Sequence, residues 1–118
     1  MINTVLIVDD EPINIHLIKG ILPAEIKLQA AISGANALRQ LTKSQPDVIL
    51  LYLVMPEMDG FETLAKLKAM PECQHIPVII ISGNASSKDI KKTTELGALS
   101  HLKKPISKDK LMALLNNL

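Results

Sequence analysis

The stretch VILLYLVMPEMDG, residues 48–60, opens as an unbroken apolar run and closes as an acidic turn ending in glycine. Continuous rather than alternating polarity means burial on both faces, which marks a central strand of a parallel sheet. Two further runs, TVLIV (4–8) and PVIIIS (77–82), share this character and are rich in β-branched residues. IKLQAAI (26–32) and ALSHLK (98–103) are more mixed and suit flanking or edge strands. Tyr52, the single tyrosine of the chain, stands where the strand of 47–53 gives way to its loop.

Helix-period segments lie between the strands. Residues 12–22 begin with Pro12, suited to a first helical turn, and carry Ile15, Leu17, Ile18, Ile21 and Leu22 on a periodic face. Residues 35–43 place Ala37, Leu38 and Leu41 at helical spacing, and 61–70 do so with Phe61, Leu64, Ala65 and Leu67. Residues 86–96 are polar apart from Ile90 and Leu96, with Gly97 as a C-terminal cap. Ser107 caps a last helix bearing Leu111, Met112, Leu114, Leu115 and Leu118. Five β–α units in strict alternation predict a single α/β domain over residues 1–118, a parallel sheet with helices on both faces and right-handed crossovers.

Composition narrows the function. Net charge is +1, with acids and bases interspersed, so no basic patch points to direct nucleic-acid binding. The single Cys73 rules out an internal disulfide and a cysteine-rich zinc site, and predicts a reducing, cytoplasmic setting. No apolar run reaches the roughly 20 residues that span a bilayer, and Asp9, Asp10 and Glu11 interrupt any secretion signal, so no membrane role is expected. Neither nucleotide-binding glycine fingerprint occurs. With two aromatic residues, Tyr52 and Phe61, there is little to stack on a flavin.

In such sheets ligands bind beyond the carboxyl ends of the strands. There the chain offers Asp9, Asp10 and Glu11 after the first strand, Tyr52 after the third, Ser82 after the fourth and Lys104 after the fifth. Adjacent carboxylates either cap the following helix or share a hard cation such as Mg²⁺. A serine and a lysine at neighbouring strand ends tip the reading towards a metal site. Ser82 has the group to bond a phosphoryl oxygen but no nucleophile elbow around it, and Lys104 suits an ion pair or a phosphate. His16 and His75 are expected on exposed surfaces, and His101 within the fifth strand, half in solvent.

Taken together, VLIVDDEP (5–12), the PDVILL and LVMPEMDGFE segments either side of position 52, IPVIIISG (76–83) and GALSHLKKPIS (97–107) resemble the receiver domain of bacterial two-component response regulators, in that family's order across essentially the whole chain. The resemblance implies a flavodoxin-like (βα)5 fold with strand order 2-1-3-4-5 and a Mg²⁺-dependent switch phosphorylated by a histidine kinase. By position, Asp9 and Asp10 would bind the metal with the main-chain carbonyl of Val54. Ser82 and Lys104 would hold phosphoryl oxygens, and His101 would take the switch position. Residues 86–118 would form the face for a kinase, a phosphotransfer protein or a downstream effector.

One position departs from the pattern: the phosphoacceptor aspartate should stand at 52, where this chain has Tyr52. A phenol, with a pKa near 10, is a poor substitute for a carboxylate nucleophile, and its presence removes one acidic metal ligand, weakening Mg²⁺. The ring is expected to fill the emptied pocket with its hydroxyl bonded to Lys104, Asp10 or water. Two functions follow: a non-enzymatic pseudo-receiver or silenced variant that works by binding proteins, or a Mg²⁺-dependent phosphoacceptor using Asp9, Asp10 or Asp59 instead.

Overall fold

Strand β1 (Thr4–Val8) pairs in parallel with β2 (Lys27–Ala31) on one side and with β3 (Val48–Tyr52) on the other. β3 in turn pairs with β4 (Val78–Ser82), and β4 with β5 (Ser100–Lys103), giving the order β2-β1-β3-β4-β5. This is the flavodoxin-like order expected above. The computed structural model describes residues 2–84 and 86–118. All five residues of β3 are buried, as are Val5–Val8 of β1 and Val78–Ile81 of β4. Removing a Leu or Ile side chain from water contributes about 1.5–3 kcal/mol, so these three strands form the centre of the core.

Each strand is followed by a helix: α1 (Pro12–Ile21), α2 (Gly34–Leu41), α3 (Gly60–Lys68), α4 (Ser87–Glu95) and α5 (Lys108–Asn116). From β1 the chain steps one way to β2 and thereafter always the other way. Right-handed crossovers therefore put α1 on one face and α2, α3 and α4 on the other. Side-chain caps start four of the helices. Ser33, Asp59, Ser86 and Ser107 accept the amides of Asn36, Glu62, Asp89 and Lys110, satisfying donors that helix geometry leaves free. Gly97 follows α4 with φ of 107°, the left-handed cap its position predicts.

Three helical faces differ from the periodic reading. Leu17 of α1 is 56 % exposed and only Ile18 of that helix is fully covered, because no neighbouring element packs over the Leu17 side. In α3 it is Thr63, not Ala65, that turns inward beside Leu64 and Leu67, with its hydroxyl satisfied by the Asp59 carbonyl at 2.8 Å. In α4 the one fully buried residue is Thr93, while Ile90 is 41 % exposed.

The order of the strands reverses direction between β1 and β3, so a crevice opens at their carboxyl ends. The loop that leaves β1 carries the acids, and Tyr52 is the last residue of β3.

Candidate functional site

Asp9 follows β1 directly, and its amide extends the strand pairing to the Ala31 carbonyl at 3.0 Å. Its side chain is fully buried. Oδ1 accepts the Glu11 amide at 3.0 Å, whereas Oδ2 has no hydrogen-bond partner. Burial raises the Asp9 carboxyl above the ordinary range and the Asp10 charge adds to this, against the Glu11 amide, the Asn14 side chain and the Lys104 charge. Oxygens of Asp9, Asp10 and Glu11 lie within 4.8 Å of one another, a spacing that a single cation can bridge.

Tyr52 ends β3 and is 5 % exposed. Burial drives its phenol well above the ordinary value, and the Asp9 and Glu11 carboxylates beside it push the same way, so the neutral form is held at all physiological pH. The Lys104 ammonium sits 3.8 Å from the centre of the Tyr52 ring. Of the partners expected for the hydroxyl (Lys104, Asp10 or water), Lys104 instead lies over the face of the ring, where the π electrons attract it. Lys104 is placed by its own amide, which donates to the Ser82 carbonyl at 2.9 Å and carries the β4–β5 pairing one step further.

A cleft of about 460 Å³ gathers Tyr52, Val54, Ser82 and Lys104 with Glu11. Asn84, Asp89 and Phe61 also line it, residues to which the sequence reading assigned no role in the site. Val54 is 85 % exposed, at the edge of the cleft it helps line. Gly60 closes the loop by donating its amide to the Leu53 carbonyl at 2.7 Å, and a Cβ there would meet the Tyr52 carbonyl and stand 2.6 Å from Leu53 Cα. Asp59 is occupied elsewhere: its Oδ1 accepts the Glu62 amide at 2.9 Å as the cap of α3.

His101 does not line that cleft. It lines a smaller depression of about 210 Å³ with Ser82, Asn84 and Ile90, so Ser82 and Asn84 form the shared wall. Its Nε2 lies 2.6 Å from Thr93 Oγ1, which ties β5 to α4; burial lowers the imidazole below its ordinary value against the pull of Asp89. Thr93 escaped the sequence reading because it is polar, although its place three residues after Ile90 put it on the same helical face. His16 and His75 are exposed, as expected.

Residues 5–116 match the family model of the response regulator receiver domain. The chain is 41 % identical over 104 residues to a protein of Vibrio cholerae named Probable cyclic di-GMP phosphodiesterase, covering 88 % of this chain and 24 % of that one. It is 38 % identical over 115 residues to Response regulator PleD of Caulobacter vibrioides, covering 97 % of this chain and 25 % of PleD. The chain thus spans about a quarter of the length of these curated relatives. Among solved structures, the Vibrio cholerae chemotaxis protein CheY4 superposes with a TM-score of 0.92 at 25 % identity, over 99 % of this chain and 98 % of that one. The receiver domain of a histidine kinase from Syntrophus aciditrophicus gives 0.87 at 30 % identity, over 98 % and 88 %.

Proposed function

The chain belongs to the response regulator receiver family, a module of two-component signalling, and from this premise we propose that it is a protein-binding receiver that takes no phosphoryl group at position 52. The observation that carries the proposal is Tyr52 itself: a buried, neutral phenol at the carboxyl end of β3, with Lys104 resting on its ring. An acyl phosphate needs a carboxylate as its nucleophile, and a phenol held protonated between Asp9 and Glu11 does not supply one.

The retained groups keep the form of a phosphorylation site. Ser82 and Lys104 are the groups that would hold phosphoryl oxygens, and His101 would be the switch. The acids fit a weakly held Mg²⁺: Asp9 Oδ2 is buried without a partner, Asp10 lies beside it, and Val54 offers a main-chain carbonyl. Mg²⁺ accepts such a site with waters in its remaining positions, and Tyr52 contributes no charge to it. When bound, the ion would neutralise these carboxylates and polarise a phosphoryl oxygen.

Partner binding is assigned to residues 86–118, where Ile90 and Leu99 are 41 % and 58 % exposed. The partner is a histidine kinase, a phosphotransfer protein or an effector. The free, buried Cys73 fits a cytoplasmic setting. The deciding experiment is intact mass after acetyl phosphate and Mg²⁺, with Tyr52→Asp run alongside. Gain of a phosphoryl group by the aspartate variant alone is expected. Gain by the unaltered chain would overturn the proposal in favour of Asp9, Asp10 or Asp59 as acceptor, the last being the least free because it caps α3.

A further inference from the structure

Tyr52 and Lys104 line two cavities, not one. Besides the cleft on the β4 side, they wall a second cavity of about 360 Å³ between α1 and the loop joining β5 to α5. We propose that this second cavity is a binding site for a small amphiphilic carboxylate, with Lys104 as its anion anchor and Tyr52 as part of its wall. The proposal goes beyond the function above and rests on that reading only in treating position 52 as released from phosphoryl chemistry.

Three features define the ligand. The size falls in the range of about 300–1,000 Å³ where small-molecule sites occur. The wall is apolar on the α1 side, from the buried Ile18 up to the exposed Leu17 at the mouth, and on the loop side, from Pro105 and Ile106. Such a surface takes a hydrocarbon chain or a ring. The third feature is charge. Lys104 is the one ionised group along the wall, and no acidic side chain lines it. Among the described residues the one ion pair is Lys66–Glu62, so the half-buried ammonium of Lys104 has no carboxylate within bonding distance and rests on the Tyr52 ring instead. A charge-assisted bond to a carboxylate is stronger than that cation–π contact, so a ligand anion gives Lys104 the better partner.

Tyr52 makes the site compatible with an anion. An aspartate at 52 would place a negative charge where the neutral ring now stands, repel a carboxylate and draw Lys104 away. The residue that removes the phosphoacceptor is therefore the residue that opens this cavity to a different signal. Occupancy would reach the sheet through Lys104, whose amide holds the Ser82 carbonyl at 2.9 Å.

The probe is 4-phenylbutyrate, with 4-phenylbutylamine as its charge-inverted control, titrated into methyl-labelled protein and followed by NMR. Saturable shifts are expected at Leu17, Ile18, Ile21 and Ile106 methyls, with the amine at least about fivefold weaker. Lys104→Met should weaken the acid by a similar factor and spare the amine. Leu17→Trp, at an exposed position that leaves the fold intact, should close the mouth to the acid. Equal binding of acid and amine, shifts confined to other regions, or no saturable shift at tens of millimolar would each overturn the proposal. Should Lys104→Met fail to fold, the acid–amine comparison on the unaltered chain decides. None of these outcomes bears on the mass measurement, so this inference and the function above fail separately.

Discussion

Asp47, immediately ahead of β3, and Asp9, immediately behind β1, stand at opposite ends of the same sheet and are treated in opposite ways. Asp47 Oδ2 accepts the Asn3 amide at 2.7 Å, the Thr4 amide at 2.9 Å and the Thr4 hydroxyl at 3.3 Å. Those amides hold its carboxyl below the ordinary range although it is largely in solvent. Asp9 is wholly buried, leaves Oδ2 unpartnered, and is raised by that burial. Buried polar atoms are nearly always paired, so an orphan carboxylate oxygen is a cost the fold carries. One end of the sheet is organised for stability. The other leaves a buried carboxylate oxygen without a partner.

The contrast breaks first if the carboxyl end is merely soft. Gly60 tests this, since its Cβ would strike the Tyr52 carbonyl and Leu53 Cα in a loop tied by the 2.7 Å bond from Gly60 to Leu53. Gly60→Ala should cost about 3 kcal/mol in urea unfolding. A loss near zero would show that the loop after Tyr52 yields, and the unsatisfied Asp9 would then reflect looseness.

At the other end, Asp47→Ala strips two backbone amides of their acceptor. It should cost about 1 kcal/mol at neutral pH, solvent screening holding the figure down. The folded carboxyl lies below its unfolded value, so its contribution is complete above the ordinary value of 3.8 and fades as pH falls through the lower, folded value. The stability gap between Asp47→Ala and the unaltered chain should therefore close in acid. A gap that persists there would mean Asp47 acts by packing instead.

How far the sequence reaches follows the same division. The buried strands were legible because apolar runs such as TVLIV and VILLY leave no other way to hide both faces, and their observed limits lie within about two residues of those read. Caps were legible at Ser107 and Gly97 because their chemistry is local. What was not legible depends on partners distant in the chain. Leu17 lies on a correct helical period, yet periodicity does not reveal that no element covers it. Thr93 is buried at no penalty because its hydroxyl reaches the Asp89 and Ile90 carbonyls and His101. The carboxyl-edge residues could be named, but the stacking of Lys104 on Tyr52 is decided by packing and by where the acids lie. Glu57, at φ 67°, takes a left-handed conformation after Pro56 that nothing in its own side chain requires.

The smallest effect sharpens the comparison most, because its sign is opposite. Asp9→Asn keeps an oxygen for the Glu11 amide and removes a buried charge whose second oxygen has no partner. Where Asp47→Ala destabilises, Asp9→Asn should stabilise, by about 0.5 kcal/mol in urea unfolding without added metal, the new amide group offsetting part of the gain by needing acceptors of its own. Adding Mg²⁺ should then raise the midpoint of the unaltered chain and leave that of Asp9→Asn nearly unmoved, since a carboxylate ligand has been lost. If Asp9→Asn destabilises instead, the carboxylate is already compensated within the fold. That single reversal would remove the distinction between the two ends on which a cation-receptive site depends.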